Sequence, residues 1–188
     1  MKTLLKSKKG LSTVVTTLII LVVSVLLATV VTFYAINVTT TRVQEESIQV
    51  YKLHTWQNGS NFAETAFLII NTGGRDLVLD KIYIRGQQAG WNSVFYNKTT
   101  ATISNDLPYV APTNATYLAA TVTVGTTSFA LTQGTSGNNL ILPTGKSMIV
   151  YILNPDHVSV SDIGVTVGVT IFTANAQYYK ESNVEASA

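Results

Sequence analysis

Between Leu11 and Ile36 the chain runs for 26 residues without a charge, LSTVVTTLIILVVSVLLATVVTFYAI, and no other stretch limits the fold as strongly. At about 1.5 Å per residue, a helix of that length crosses a hydrocarbon layer of roughly 30 Å. In lipid every backbone N–H and C=O must be bonded within the segment, so a single isolated span has to be helical, whatever the modest helix preference of its Val and Thr residues. Lys2, Lys6, Lys8 and Lys9 precede it, and no further lysine occurs until Lys52. That asymmetry predicts an N-terminus on the cytoplasmic side and the remainder of the chain outside.

The charges have to be read on either side of this segment. Four of the twelve basic residues lie before Gly10, leaving eight Lys and Arg against ten Asp and Glu beyond it, a net of −2. A mildly acidic, charge-poor remainder has no electrostatic footprint for nucleic acid. Without cysteine there is no disulfide framework and no thiolate zinc site. Roughly 150 residues follow the apolar run, enough for one ordinary domain.

Three readings of the N-terminus compete. The apolar run is much longer than the 7 to 15 residues typical of a secretory signal and ends in no A-x-A cleavage site. An uncleaved signal anchor satisfies hydropathy alone. The third reading comes from the small residue at the start of the run: Lys8 and Lys9, then Gly10, then Leu11, Ser12 and Thr13. This order resembles the class III signal peptide of archaeal type IV pilins and archaellins. The resemblance implies a cut between Gly10 and Leu11 by a prepilin peptidase on the cytoplasmic side, which removes the charged leader and leaves the apolar helix on the mature chain. The glutamate usual at the fifth mature position of bacterial type IV pilins is replaced by Val15, which points to the archaeal branch. The hydroxyls of Thr13, Thr16, Thr17, Ser24, Thr29 and Thr32 are expected to bond back to carbonyls one turn earlier.

Beyond Ile36 the pattern changes. Asn37 to Glu46 reads as a polar continuation of the helix, so that residues 11–46 form one helical unit and residues 47–188 a head. The head holds runs rich in Val, Ile, Thr and Tyr separated by Gly, Pro and Asn turns: SIQVYKLHTW, AETAFLII, DLVLDKIYIR, WNSVFYN, TYLAATVTV, TSFALT, NLIL, KSMIVYIL and IGVTVGVTIFT. Asn58-Gly59 joins the first two as a hairpin. Period-2 alternation places Ile82 and Ile84 on one face, and Val165, Val167, Val169 and Ile171 on another. The expectation is an α+β chain: a long N-terminal hydrophobic helix, then an antiparallel immunoglobulin-like β-sandwich with one face of each strand in the core. The final ESNVEASA is polar and is expected to fray. The stretch before it, TANAQYYKE, resembles the end of pilins from thermoacidophilic archaea.

Four N-x-[ST] sequons, at Asn37, Asn58, Asn97 and Asn114, would all lie outside the membrane, where glycans are attached. Asn97 and Asn114 read as loop positions and Asn58 as a turn, while Asn37 adjoins the apolar span. Gly145-Lys146-Ser147 lacks the earlier glycine of a phosphate loop, with Leu140 in its place, and reads as a turn. Gly164 and Gly168 have the spacing of a membrane dimer motif but fall in a strand pattern. His54 and His157 have no sequence context of a metal site or a catalytic triad. Asp76 with Asp80, and Asp156 with Asp162, lack the dense oxygen spacing of a calcium loop and read as turn caps. Trp56 and Trp91 read as core or subunit contacts.

The resemblance therefore implies a structural subunit, not an enzyme, with no cofactor and no metal. It would sit in the cytoplasmic membrane as a precursor and then polymerise through its N-terminal helices into an adhesive filament outside the cell. A membrane-anchored cell-surface binding module, and an archaellin of a rotary filament, are the alternatives.

Overall fold

A computed structural model of the protein describes residues 8–59, 62–112, 121–137 and 140–187. The chain divides into two compact units between Val43 and Gln44. All but the last residue of α1, Lys8–Gln44, a single uninterrupted helix of 37 residues, lies in the first. Its hydroxyls are satisfied internally. Thr16 donates to Ser12 O at 2.9 Å, Ser24 to Ile20 O at 2.7 Å, Thr29 to Val25 O at 2.8 Å and Thr32 to Ala28 O at 2.7 Å. The polar continuation does the same, Thr41 donating to Asn37 O at 2.8 Å. Back-bonding of this kind removes the hydroxyl as a competitor for the backbone and leaves the helix exterior effectively apolar.

The second unit is mostly β-sheet. Its strands are β1 (Ile48–Gln57), β2 (Ala63–Asn71), β3 (Leu77–Ile84), β4 (Gln87–Gln88), β5 (Val94–Thr99), β6 (Thr121–Val124), β7 (Thr127–Ala130), β8 (Thr132–Gln133), β9 (Leu140–Leu142), β10 (Ser147–Leu153), β11 (Thr166–Thr173) and β12 (Gln177–Ala186). One sheet runs in the order β4-β3-β11-β12-β1-β2-β10-β5-β8, with β9 also on β3, and β6 and β7 form a separate hairpin. Its outermost strands are only two residues long, which leaves little open edge for unwanted pairing.

Two cores lie on opposite faces of β2 and β10. The first takes Phe67 and Ile69 of β2 and Val150 and Ile152 of β10, together with Leu79 and Ile82 of β3, Val167 and Ile171 of β11 and Val184 of β12. The second takes Ala66 and Leu68 of β2 and Ile149, Tyr151 and Leu153 of β10, together with Trp56, Phe95, Leu107, Val110 and the hairpin residues Val122, Val124 and Phe129. The continuous apolar runs AFLII and MIVYIL thus have no solvent face, as unbroken hydrophobicity in a strand requires. The expectation of one core face per strand holds for β11, where Val167, Val169 and Ile171 are buried, although Val165 precedes the strand and is exposed, and it fails for β2 and β10.

The carboxyl-terminal residues correct a second expectation. They do not fray: β12 lies between β11, which it pairs antiparallel, and β1, which it pairs parallel with Thr55 opposite Val184. The sheet is therefore not wholly antiparallel. Gln177–Ala186 is polar because its side chains are mostly solvent-facing, yet residues 177–183 pair with β11 and residues 184–186 with β1, and Val184 is 1% exposed in the first core. Hydroxyls of Thr55, Thr65 and Ser182 link the strands beneath it at 3.1 to 3.2 Å.

The entry of the chain into the head is equally specific. Thr72 and Gly73 donate to Ser47 O at 3.0 Å, and Gly74 donates to Glu45 O at 3.2 Å. A Cβ on Gly73 would stand 2.6 Å from Glu45 O and 2.7 Å from Ser47 N, so only glycine admits this approach.

Replacing Val184 by Asp puts a charge into the first core and is expected to destabilise the head by about 3 kcal/mol or more. Denaturant unfolding of the full chain in detergent measures it; an unchanged midpoint would mean that the terminus is only an appendage.

Candidate functional site

Two regions carry chemistry that the rest of the fold does not need: the surface of α1, and a cluster of polar side chains around the second core. On the helix, seventeen large apolar residues from Val14 to Val38 are more than 40% exposed, among them Leu18, Leu26, Val31 and Phe33. Residues Ser12–Thr41 are long and apolar enough to cross a membrane, and none of that window is buried. Length and composition of this kind suit a membrane anchor or a signal. Val25, Ala28, Thr29, Thr32, Phe33 and Ile36 outline a shallow apolar depression on one side, where small residues lie between larger ones. Gly10 and Leu11 lie within the first turns of α1, so the helix runs through the proposed cleavage position.

The sequons fall in different settings. Asn37 is exposed on the helix. Asn58 is half-buried at the β1–β2 connection, its Oδ1 accepting from Phe62 N at 3.1 Å. Asn97 is not in a loop: it pairs with Ile149 inside β5, and its Nδ2 donates to Ala130 O at 2.6 Å. The VFYN run continues through Lys98 and Thr99 because the long strand β10 needs a partner along that edge. Asn114 lies outside the described residues.

His54, read from sequence as isolated, is brought against two carboxylates from distant parts of the chain. Its Nε2 is 3.0 Å from Asp106 Oδ1 and its Nδ1 3.3 Å from Glu185 Oε1, while its ring stacks on Trp56 with centroids 5.2 Å apart. Each ring nitrogen is thus engaged by a different carboxylate on a different side, an arrangement that ties segments together. Among the described residues no three His, Asp or Glu side chains converge as metal ligands would.

His157 stands at a second junction. Its Nε2 is 2.6 Å from Gln87 Oε1, and its carbonyl accepts from Arg85 Nη1 at 2.8 Å. Arg85 also pairs with Asp162 at 2.7 Å. The amide and hydroxyl of Ser159, then Arg85, hold the Asp162 carboxyl down to about 2. Asp162 therefore caps a turn, as does Asp76, which accepts from Thr144 N at 2.9 Å. Asp80 lies beside Lys81 on β3, and Asp156 reaches Gln87 at 3.5 Å. Gly145 has φ +69° in the turn leading to β10. Gly168 lies within β11 under the Tyr179 ring.

Glu64 is the polar residue that sequence reading passed over. It sits on β2 between Ala63 and Thr65 and is 1% exposed. One carboxyl oxygen accepts from Val110 N at 3.0 Å, and the other has no partner. Burial pushes its pKa from an ordinary 4.5 up to about 8, the Val110 amide acting in the opposite direction. Burial and the neighbouring Glu64 and Asp106 carboxyls likewise push the Tyr151 hydroxyl upward. The signal was present in the sequence: Glu64 shares strand parity with Ala66 and Leu68, and a run apolar on both faces buries that parity too.

No protein-family model matches the chain. No curated protein matches it either. Among solved structures, the ligand-binding region of serine-glutamate repeat protein A of Enterococcus faecium aligns with 77% of this chain and 99% of its own, at 8% identity and a TM-score of 0.31.

The raised value of Glu64 fixes a direction for pH dependence. The folded head holds this proton more tightly than the unfolded chain, so the group favours folding fully below about 4.5. Stability is then lost as pH rises to about 8, at up to about 1.4 kcal/mol per pH unit. Glu64→Gln keeps an acceptor for Val110 N and cannot ionise. It is expected to raise the melting temperature at pH 7 and to flatten its fall between pH 5 and 8, with little effect at pH 4. Thermal unfolding followed by near-UV circular dichroism checks this.

Proposed function

We propose that the chain is a type IV pilin-like structural subunit of an archaeal surface filament. It is cut between Gly10 and Leu11, held in the cytoplasmic membrane before assembly, and polymerised outside the cell through its N-terminal helices. The observation that carries this reading is the helix surface itself, apolar on every side over Ser12–Thr41 and placed directly behind Lys8-Lys9-Gly10. Removing a Val, Leu, Ile or Phe side chain from water is worth about 1.5 to 3 kcal/mol, so copies of this helix packed together would gain tens of kcal/mol per subunit before ordering costs. The same face serves first against lipid and afterwards against other copies of itself, once loss of the leader has stripped away its four lysines.

In this reading the head is an immunoglobulin-like sandwich forming the outer shell, supported by the core shared between β2, β10, β3 and β11. Its role is assembly and adhesion, not catalysis. Asn58, Asn97 and Asn114 are the sequons assigned to glycan, and modification of Asn97 requires its amide nitrogen to leave Ala130 O.

Substituting Gly10 by Phe tests the assignment. Intact mass and N-terminal sequencing of the wild-type protein are expected to give a chain beginning at Leu11. The variant is expected to keep its leader, remain in the membrane and form no filaments. Normal filaments from the variant would overturn the reading. Wild-type protein cleaved at Leu11 but never found in filaments would favour an anchored binding module instead.

A further inference from the structure

Three adjacent strands send polar side chains across the second core to a single irregular segment. Residues 100–112 follow β5 with neither helix nor strand, and they roof the face that carries Trp56, Ala66, Leu68 and Tyr151. Among the described residues no backbone-to-backbone hydrogen bond fastens this strap to the sheet. Side chains do so. Lys52, at a bulge in β1 where φ is +52°, donates its ammonium to Ser104 O at 2.6 Å and to Asn105 O. His54 holds Asp106, and Tyr151 donates to Pro108 O at 2.9 Å. Glu64 accepts from Val110 N at 3.0 Å.

The tie at Glu64 differs from the others. The side chain is 1% exposed, and among the described residues its second oxygen has no partner and no cation touches it. The titratable and charged groups around this core are Tyr151 of β10, Asp106 and Tyr109 of the strap, His54 and Lys52 of β1, and Glu185 of β12. Lys52 is committed to the two strap carbonyls, and His54 to the two carboxylates. The β6–β7 hairpin, which completes the core, contains no charged residue. A neutral carboxyl fits this setting. A carboxylate would have one amide for company and an unsolvated oxygen.

We propose that residues 100–112 are a proton-controlled cover: with Glu64 neutral the strap lies closed on the second core, and release of that proton to solvent frees the strap and uncovers Trp56 and Tyr151. Leu107 and Val110 are its apolar plugs, and Trp56, edge-on to Tyr109 at 6.0 Å, lies directly beneath it. The device belongs to the head and does not depend on filament assembly.

The linkage has a definite form. Glu64 ionises at about 8 when covered and near 4.5 when exposed. The opening constant therefore rises by up to about tenfold per pH unit between those values and levels off above the higher one. Hydrogen exchange on the full chain in detergent, corrected for intrinsic base catalysis, reads this at the Val110 amide. Its protection is expected to fall by close to tenfold per unit from pH 5 to 8 and then to level off, always remaining below that of β2 and β10. In Glu64→Gln the profile is expected to be flat. His54→Gln is expected to keep the wild-type slope, which separates the effect of Glu64 from that of the neighbouring tie. Protection at Val110 equal to that of β2 and β10 at every pH would overturn the proposal, because no separate opening would exist. So would a slope that survives in Glu64→Gln or disappears in His54→Gln.

Discussion

A helix with valine, leucine and isoleucine on all its sides is not at rest in water. From Val14 to Val38 each large side chain of α1 is exposed, and the hydroxyls interspersed among them are turned back onto their own backbone. The segment thus offers a surrounding phase nothing but apolar contact. Lipid satisfies that requirement, and so does a bundle of identical helices. The proposed filament rests on the second possibility, with the proposed cut after Gly10 as the means of moving from one phase to the other.

The head meets its own burial requirement differently. β2 and β10 are apolar on both faces, so one layer cannot complete the fold, and two cores form on either side of them. The first is closed by strands β3, β11 and β12. The second is closed by a hairpin and by a strap that, among the described residues, has no backbone ladder to the sheet. Closing a core with side-chain ties makes its stability depend on the charge state of those side chains. Glu64 is where that dependence is concentrated, because a carboxyl without a cationic partner is tolerated there only in its neutral form.

Much of this architecture was legible in the sequence. Helix α1 follows from an uncharged run, and β1, β2, β3 and β10 follow from runs of β-branched and aromatic residues between turn signals. Other features were not local properties and left no local trace. Gln177–Ala186 reads as a tail because its side chains are polar, but a strand is fixed by partners on both edges of its backbone, and β1 lies more than a hundred residues away. The meeting of His54 with Glu185 depends on that same pairing, and that with Asp106 on the strap after β5. Asn97 reads as a loop residue because Asn breaks the apolar run, whereas β10 supplies it with a ladder. Glu64 was legible in principle, since an acidic residue at the head of a doubly buried run has nowhere to go but inward.

Imaging sheared surface filaments at side-chain resolution tests the central claim most directly. The account predicts fibres built from this chain, starting at Leu11, with residues 12–41 packed against copies of themselves at the centre and the β-rich head outside. Fibres whose centre is formed by the heads, or cells whose surface carries the chain only as separate molecules held in the bilayer, would contradict it.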